Sequence, residues 1–142
     1  MTDLITRLSK LDAPDREVDA EICIALQYVT QKGATNIRRD TDEEFKDEWL
    51  DFEVDGELWT EKTPKLTASV DATIALAERV LPGWKWRVGR TELFPNGWAY
   101  VHKYDPSNCD RKDEAACADG RAANPAIALL IALLRAKEAS NA

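Results

Sequence analysis

The stretch S-V-D-A-T-I-A-L-A-E-R-V-L-P-G-W-K-W-R-V, at residues 69–88, decides much of the fold because it encodes a helix, its end and a following strand. Its apolar residues recur at helical spacing and predict one buried stripe, made of Val70, Ile74, Ala77 and Leu81. Ser69 or Thr67 has the side chain of an N-cap, and Pro82-Gly83 ends the helix. Residues 84–88 then alternate apolar and cationic side chains, which predicts a strand with two different faces.

Further helices and two hairpins are predicted on either side of this stretch. A short helix is predicted at 3–11, and a longer one at 15–31 that Gly33 ends, with an inward stripe at Val18, Ile22, Leu26 and Val29. Asp55-Gly56 between two apolar runs predicts a two-residue hairpin turn. A second hairpin joins 84–90 to 98–104 through Pro95-Asn96-Gly97, and residues 105–123 have the composition of a long loop.

The last predicted helix, at 125–137, is apolar on almost every side. Asn124 is its N-cap, and Pro125 occupies the first helical position, where proline is preferred. Ile127, Leu130, Ile131 and Leu134 form one stripe, and leucines beside it leave almost no polar face before Arg135. Such a helix is either central to the core or shared with a partner chain, and this pattern favours a homo-oligomer.

These elements predict a single α+β domain over residues 1–142. An antiparallel sheet is layered with the helices 15–31, 69–81 and 125–137, in the manner of an α-β-α sandwich. A chain of 142 residues has the length of one ordinary domain. The charged stretch 35–64 lacks helical periodicity and is interpreted as an acidic hairpin insertion.

Composition narrows the classes of partner. The net charge is -7 and the pI is about 4.8, which argues against binding duplex nucleic acid or an anionic membrane. The first residues lack the pattern of a secretory signal, and the longest apolar run, 125–134, is about half the roughly 20 residues that span a bilayer. Three cysteines argue against a disulfide framework and fit a reducing compartment, so we expect a cytoplasmic protein.

Three segments of the chain resemble small proteins of tailed phages and prophages that carry the phage ABA sandwich domain. The segments are D-A-P-D-R-E-V-D-A-E-I-C-I-A-L at 12–26, L-T-A-S-V-D-A-T-I-A-L-A-E-R-V-L-P-G-W-K-W at 66–86 and N-P-A-I-A-L-L-I-A-L-L-R-A-K at 124–137. The resemblance implies an α-β-α layered fold, a phage origin and action in the cytoplasm of a bacterial host. It implies no catalytic residue, and the acidic stretch after Gly33 lies outside it.

Signatures of catalysis and metal binding are weak. Cys109 and Cys117 lie among carboxylates, but their spacing is wrong for a zinc knuckle and His102 is the single histidine. His102 with Cys109 or Ser107 is the available nucleophile and base set, and a packed structural imidazole is the preferred interpretation. We therefore predict no catalytic residue, no metal and no cofactor, with a small hydrolase that uses His102 as one alternative.

The second hairpin combines cations with aromatic rings. A nucleotide requires this combination, because rings stack on a base and cations pair with phosphates. The competing interpretation is an ordinary strand pair whose wet face carries Lys and Arg. The predicted ligand-binding residues are Lys85, Arg87, Arg90, Trp98, Tyr100, His102, Lys103, Tyr104 and Arg111.

The acidic stretch offers a different class of function. Between residues 40 and 61 Lys46 is the one cation among eleven carboxylates. Such a field could dock on a basic protein or imitate a nucleic acid backbone, and a solubilising hairpin is the plainer interpretation. The residues predicted for protein binding are Trp49, Phe52, Asp55, Glu57 and Trp59.

Together these features predict a small, non-enzymatic phage accessory protein that acts on the host by sequestering a nucleotide-like defence signal. The alternative is an acidic protein-binding inhibitor or nucleic acid mimic that acts through residues 40–61. The predicted partners are accordingly a small anionic ligand or a host protein, with no membrane.

Overall fold

The predicted α+β class is confirmed by the computed structural model, which describes residues 1–105 and 108–140 without the side chains of 104–105 and 108–115. The described residues form four helices and two three-stranded antiparallel sheets. In chain order the elements are α1 (Thr2–Lys10), α2 (Arg16–Leu26), β1 (Thr35–Arg39), β2 (Trp49–Val54), β3 (Glu57–Lys62), α3 (Val70–Val80), β4 (Lys85–Gly89), β5 (Trp98–Asp105), β6 (Asn108–Arg121) and α4 (Pro125–Ser140).

The chain divides into two compact units, which we name by their main features. The acidic unit is Asp15–Lys65 and contains α2 and the sheet β1-β2-β3. The α4 unit is Met1–Pro14 with Leu66–Ala142 and contains α1, α3, α4 and the sheet β4-β5-β6.

In the acidic unit, α2 is shorter than predicted. Asp15 caps it by accepting a hydrogen bond from Val18 N at 3.1 Å. The helix ends at Leu26, and not at residue 31, because Gln27 adopts the left-handed conformation with φ 50°. In that position the Gln27 amide donates to the Ile37 oxygen at 3.0 Å and accepts from the Ile37 nitrogen at 2.9 Å. The side chain thus pairs with β1 as a short strand would, and Leu26 is left half-buried.

The hairpin predicted at Asp55-Gly56 is confirmed. Both residues have positive φ, 52° and 82°, as a two-residue turn of type I′ requires. The register of β2 and β3 runs without interruption from Val54 opposite Glu57 to Trp49 opposite Lys62. This hairpin leaves β3 as an outermost strand in the order β1-β2-β3.

In the α4 unit, α3 begins and ends close to the predicted positions, but its buried stripe differs. Ser69 caps the helix by accepting from Ala72 N at 3.1 Å. The buried helical residues are Thr73, Leu76 and Ala77, whereas Val70 and Ile74 are half-buried. Thr73 tolerates burial because its hydroxyl donates to the Leu66 oxygen at 2.8 Å.

The long loop predicted at 105–123 is wrong, because most of that segment forms the strand β6. It pairs antiparallel with β5, which also pairs with β4, so the predicted hairpin becomes a three-stranded sheet. The last part of β6 alternates small and polar residues: Cys117, Ala118, Asp119, Gly120 and Arg121. This alternation suits a strand that packs closely on one side only.

The position of helix α4 explains its apolar character, because the helix contacts the sheet β4-β5-β6 as well as α1 and α3. Ten of its residues are buried within this one chain. The predicted cap is confirmed: Asn124 accepts from Ile127 N at 2.8 Å and donates to the Thr67 oxygen at 2.9 Å. A central position in the core therefore accounts for this helix, and its pattern no longer supports a homo-oligomer.

Gly120 sets how closely the sheet approaches α4. A Cβ placed on Gly120 would lie 2.2 Å from the Ala128 oxygen and 3.0 Å from the Ala132 nitrogen. The opposite residue on β5, Ala99, and its neighbour Val101 are almost fully buried. One face of the sheet is thus packed against the helix, and the alternate residues of each strand project to the other face.

Candidate functional site

The face of the sheet β4-β5-β6 that is turned away from α4, here called the outer face, is a grid of three rows. Each row contains one residue from each strand, because the two registers align them. The rows are Lys85–His102–Cys117, Arg87–Tyr100–Asp119 and Gly89–Trp98–Arg121. The sheet therefore brings five of the nine residues predicted for ligand binding onto one surface.

The grid combines exposed cations with partly buried rings. Lys85, Arg87 and Arg121 are exposed, whereas Trp98 and Tyr100 are half-buried. The rings of Tyr100 and His102 are 5.4 Å apart between centroids, with an angle of 31° between their planes. His102 itself is only 5% exposed, so its ring has little access to solvent and packs beside the ring of Tyr100.

The loop between β4 and β5 closes one end of the outer face. Thr91 and Phe94 exchange two backbone hydrogen bonds, at 3.1 and 3.2 Å, which fold the loop into a tight turn. The Arg121 guanidinium lies 4.2 Å from the centroid of the Phe94 ring, a cation–π contact that fixes its position. An open, mostly apolar cleft of about 450 Å³ lies beside this contact and is lined by Thr91, Glu92, Leu93, Phe94 and Trp98.

Four predicted ligand-binding residues do not join this grid. Lys103 is exposed but alternates onto the opposite side of β5 from His102. Arg90 donates from Nε to the Asn96 oxygen at 3.1 Å and lines a separate cleft of about 500 Å³ at the starts of α3 and α4. The side chains of Tyr104 and Arg111 lie outside the described residues.

The sequence missed the contribution of β6, namely Cys117, Asp119 and Arg121. These residues lie in the segment that was predicted as a loop, so no face could be assigned to them. The signal was present in the sequence, since Ala118 and Gly120 separate the three polar residues with the period of a strand. The rest of the segment is charged and polar, which is typical of a loop.

The acidic unit places the predicted protein-binding residues unevenly. Phe52 is 1% exposed, so its ring is core and cannot take the contact role predicted for it. Trp49 is half-buried, with Lys62 Nζ 5.7 Å from its ring centroid. Asp55, Glu57 and Trp59 are exposed, at the turn and on β3.

In the acidic unit, Arg16 connects the end of β3 to α2. Its guanidinium contacts Asp19 at 2.8 Å and donates to the Thr63 oxygen at 2.7 Å, which attaches the end of β3 to α2.

Burial, followed by the negative charges of Asp19 and Glu61, raises the pKa of the Cys23 thiol from 9.0 to about 12. Cys23 is thus a neutral core residue and has no nucleophilic character at neutral pH.

The nucleophiles considered beside His102 for the hydrolase alternative lie outside the described residues. The register places Cys117 opposite His102, whereas the side chain of Cys109 and the whole of Ser107 lie outside the described part of the chain. Within that part, no group of three or more His, Cys, Asp or Glu side chains could hold a metal ion.

Comparisons with protein families, with curated proteins and with solved structures find no match for this chain. Across the described residues, none of the helices has both the length and the apolar character needed to cross a bilayer.

Proposed function

We propose that this protein is a non-enzymatic binding protein whose outer face holds a small nucleotide-like anion. The alignment of Arg87 with Tyr100, and of Trp98 with Arg121, carries the proposal because each pair joins a cation to a ring on neighbouring strands. Rings on a sheet bind bases by stacking, which contributes about 1–3 kcal/mol per base, and guanidinium groups bind phosphate oxygens in pairs.

The outer face also has room for a planar group beside Trp98. Gly89 is opposite Trp98 in the register and has no side chain to cover the indole ring. A Cβ built on Gly89 would meet nothing within 4 Å. A base can therefore lie over Gly89 against Trp98, with the apolar cleft at Leu93 and Phe94 continuing the same surface.

Charge limits the size of the ligand. The described outer face carries three exposed cations, Lys85, Arg87 and Arg121, and the one exposed carboxylate of Asp119. Three cations can pair with one or a few phosphates, but they are too few to neutralise a long polyanion. A mononucleotide, a cyclic nucleotide or an ADP-ribose-type molecule fits these limits better than a nucleic acid.

We extend the proposal to the role suggested by the resemblance to small phage proteins. Binding without turnover would withdraw a nucleotide signal from its receptor in the cytoplasm of a bacterial host. The hydrolase alternative has less support, because His102 is nearly buried and stands beside Tyr100 in the described structure.

Isothermal titration of the protein against cyclic mononucleotides, cyclic dinucleotides and ADP-ribose tests the binding proposal. We expect heat with at least one of these ligands, and Arg87→Gln should weaken that binding about tenfold or more through loss of charge-assisted hydrogen bonds. Gly89→Val should block binding by covering Trp98. If the folded protein gives no heat with any member of the panel, the proposal is wrong.

Two matched variants make this test specific to the outer face. Lys103→Gln removes the same charge from the opposite side of β5 and should leave the affinity unchanged. Asp119→Asn removes the exposed carboxylate of the middle row and should strengthen binding, because it no longer repels a phosphate. Equal weakening by Arg87→Gln and Lys103→Gln would indicate a general charge effect and would contradict a site on this face.

A further inference from the structure

We infer that β3 is a strand-addition site for a basic, extended peptide segment. This inference is independent of the proposed nucleotide site, because it concerns the edge of the sheet β1-β2-β3 in the acidic unit. No described strand pairs with the outer edge of β3, since the sheet order is β1-β2-β3. Every residue of β3 except Glu61 is exposed.

The register identifies which backbone groups point outward. Thr63 N donates to the Glu48 oxygen at 2.9 Å, which continues the β2–β3 ladder and marks the odd-numbered residues of β3 as those bonded to β2. In an antiparallel pair the alternate residues direct their N–H and C=O groups to the other edge. Leu58, Thr60 and Lys62 therefore offer about six backbone hydrogen bonds to an incoming strand.

The edge is fixed in the extended conformation before a partner arrives. Its start is set by the turn at Asp55-Gly56, and its end is held by Arg16, which donates to the oxygens of Thr63 and Pro64 at 2.7 and 3.3 Å. Glu61 accepts hydrogen bonds from the backbone nitrogens of Thr30 and Gln31, at 2.9 and 3.2 Å. Because β3 is already ordered, the binding of a partner strand requires little free energy to order it.

The opposite edge of the same sheet is closed. The Gln27 amide makes two hydrogen bonds to the backbone of Ile37 in β1, where an added strand would have to bind. Nothing comparable covers β3 in the described structure. The difference directs strand addition to one edge.

Charge and exposed apolar groups define the partner. The acidic unit has 15 Asp and Glu against 7 Lys and Arg, so two copies pairing through β3 would bring together two units of charge -8. A cationic segment is favoured instead. One face of β3 presents Glu57 and Trp59 to cationic side chains, and the other presents Leu58, which is 73% exposed, to an apolar one. The partner is thus a strand that alternates Lys or Arg with apolar residues.

A synthetic peptide that alternates Lys and Val over seven residues tests this inference on the full chain. We expect binding that weakens with salt, together with slower hydrogen exchange of the Leu58, Thr60 and Lys62 amides. Two N-methylated forms of the peptide, blocked at every Lys or at every Val, have the same charge. One of them should lose at least about tenfold in affinity and the other should bind like the parent, because only one set of amides faces β3.

Two variants at one position separate backbone pairing from charge. Thr60→Pro removes an outward N–H without breaking the ladder to β2, and it should lower the affinity about tenfold or more. Thr60→Val keeps that N–H and should bind like the original chain. If Thr60→Pro does not fold, the N-methylated peptides and the amide exchange of the unaltered protein decide.

Several results would overturn the inference. These are a parent peptide that does not bind, two N-methylated peptides that bind equally well, or a folded Thr60→Pro variant with unchanged affinity. A concentration-dependent dimer that Thr60→Pro abolishes would assign the edge to a second copy and also contradict a basic partner. None of these results bears on the nucleotide titration, because that site lies on the other sheet.

Discussion

The two units of this chain are both built around a three-stranded antiparallel sheet, yet they carry very different charges. The acidic unit has 15 Asp and Glu against 7 Lys and Arg, a formal charge of -8. The α4 unit has 11 against 12, a formal charge of +1. The overall charge of -7 therefore describes neither unit, and net charge alone is a poor guide to which ligands each sheet can bind.

The two sheets also leave different parts of their surface available. In the α4 unit a helix covers one face, so the side chains of the other face are available. In the acidic unit one edge is closed by Gln27, so the backbone of β3 at the other edge is available. Side chains on a face select ligands by chemistry, whereas a strand edge selects by conformation. We therefore expect a small ligand for one unit and a peptide for the other.

The strongest contrast in stability is expected between the core of the α4 unit and the edge of the acidic unit. Leu130→Ala removes a fully buried side chain from α4 and should cost about 2–5 kcal/mol of unfolding free energy. Leu58→Ala, at 73% exposure on β3, should change it by less than about 0.5 kcal/mol. Urea unfolding monitored by circular dichroism measures both. Similar losses for the two variants would show that Leu58 is covered and that β3 is not open.

A smaller effect should separate two glycines of the same sheet. Gly120→Ala forces a Cβ against the backbone of α4 and should cost about 1–3 kcal/mol. Gly89→Ala adds a Cβ in open space on the outer face and should be neutral or slightly stabilising, because alanine loses less backbone entropy on folding. Thermal unfolding of the two variants compares them directly. An equal loss of stability for both variants would contradict the packing of α4 against Gly120 and the open space at Gly89.

The smallest effect concerns the thiol in the core of the acidic unit. The pKa of Cys23 is raised from 9.0 to about 12, so above pH 9 the unfolded chain loses this proton while the folded chain keeps it. Stability from this group is complete below pH 9 and falls as the pH rises towards 12. Between about pH 8 and about pH 10 the loss should reach about 1 kcal/mol.

Cys23→Ala tests this by removing the alkaline loss, whereas Cys117→Ala, an exposed thiol in the α4 unit, should retain it. Urea unfolding of both variants and the unaltered chain at about pH 8 and about pH 10 gives the comparison. If Cys23→Ala loses as much stability between the two pH values as the unaltered chain, the thiol is not held neutral by burial.

Local signals in the sequence were sufficient for several elements. The cap Asn124 and the turn Asp55-Gly56 are as predicted, and Ser69 is one of the two residues predicted as the cap of α3. Each depends on a few adjacent residues whose chemistry determines the backbone. The same holds for the pairing of residues 84–90 with residues 98–104. Five members of the candidate site could accordingly be assigned to these two strands from the sequence alone.

Other features depend on residues that are distant in the chain. Helix α2 ends at Leu26 because the Gln27 amide finds a partner in Ile37, ten residues away, which no helical pattern near Gln27 could show. The composition of residues 108–121 is typical of a loop. These residues form the strand β6 because they pair with β5 and because Gly120 fits closely against α4. Arg121 joins the candidate site for that reason alone.

The sequence by itself determined the α+β class, the capped helices, the turn at Asp55-Gly56, the pairing of residues 84–90 with residues 98–104 and the uneven distribution of charge, since these follow from local periodicity and composition. Only the tertiary structure decided that β6 completes the second sheet, that the apolar helix α4 is covered within its own chain, and that β3 has an open edge. Strand pairing and burial join residues that are far apart in sequence, so no single segment determines the free energies of these interactions.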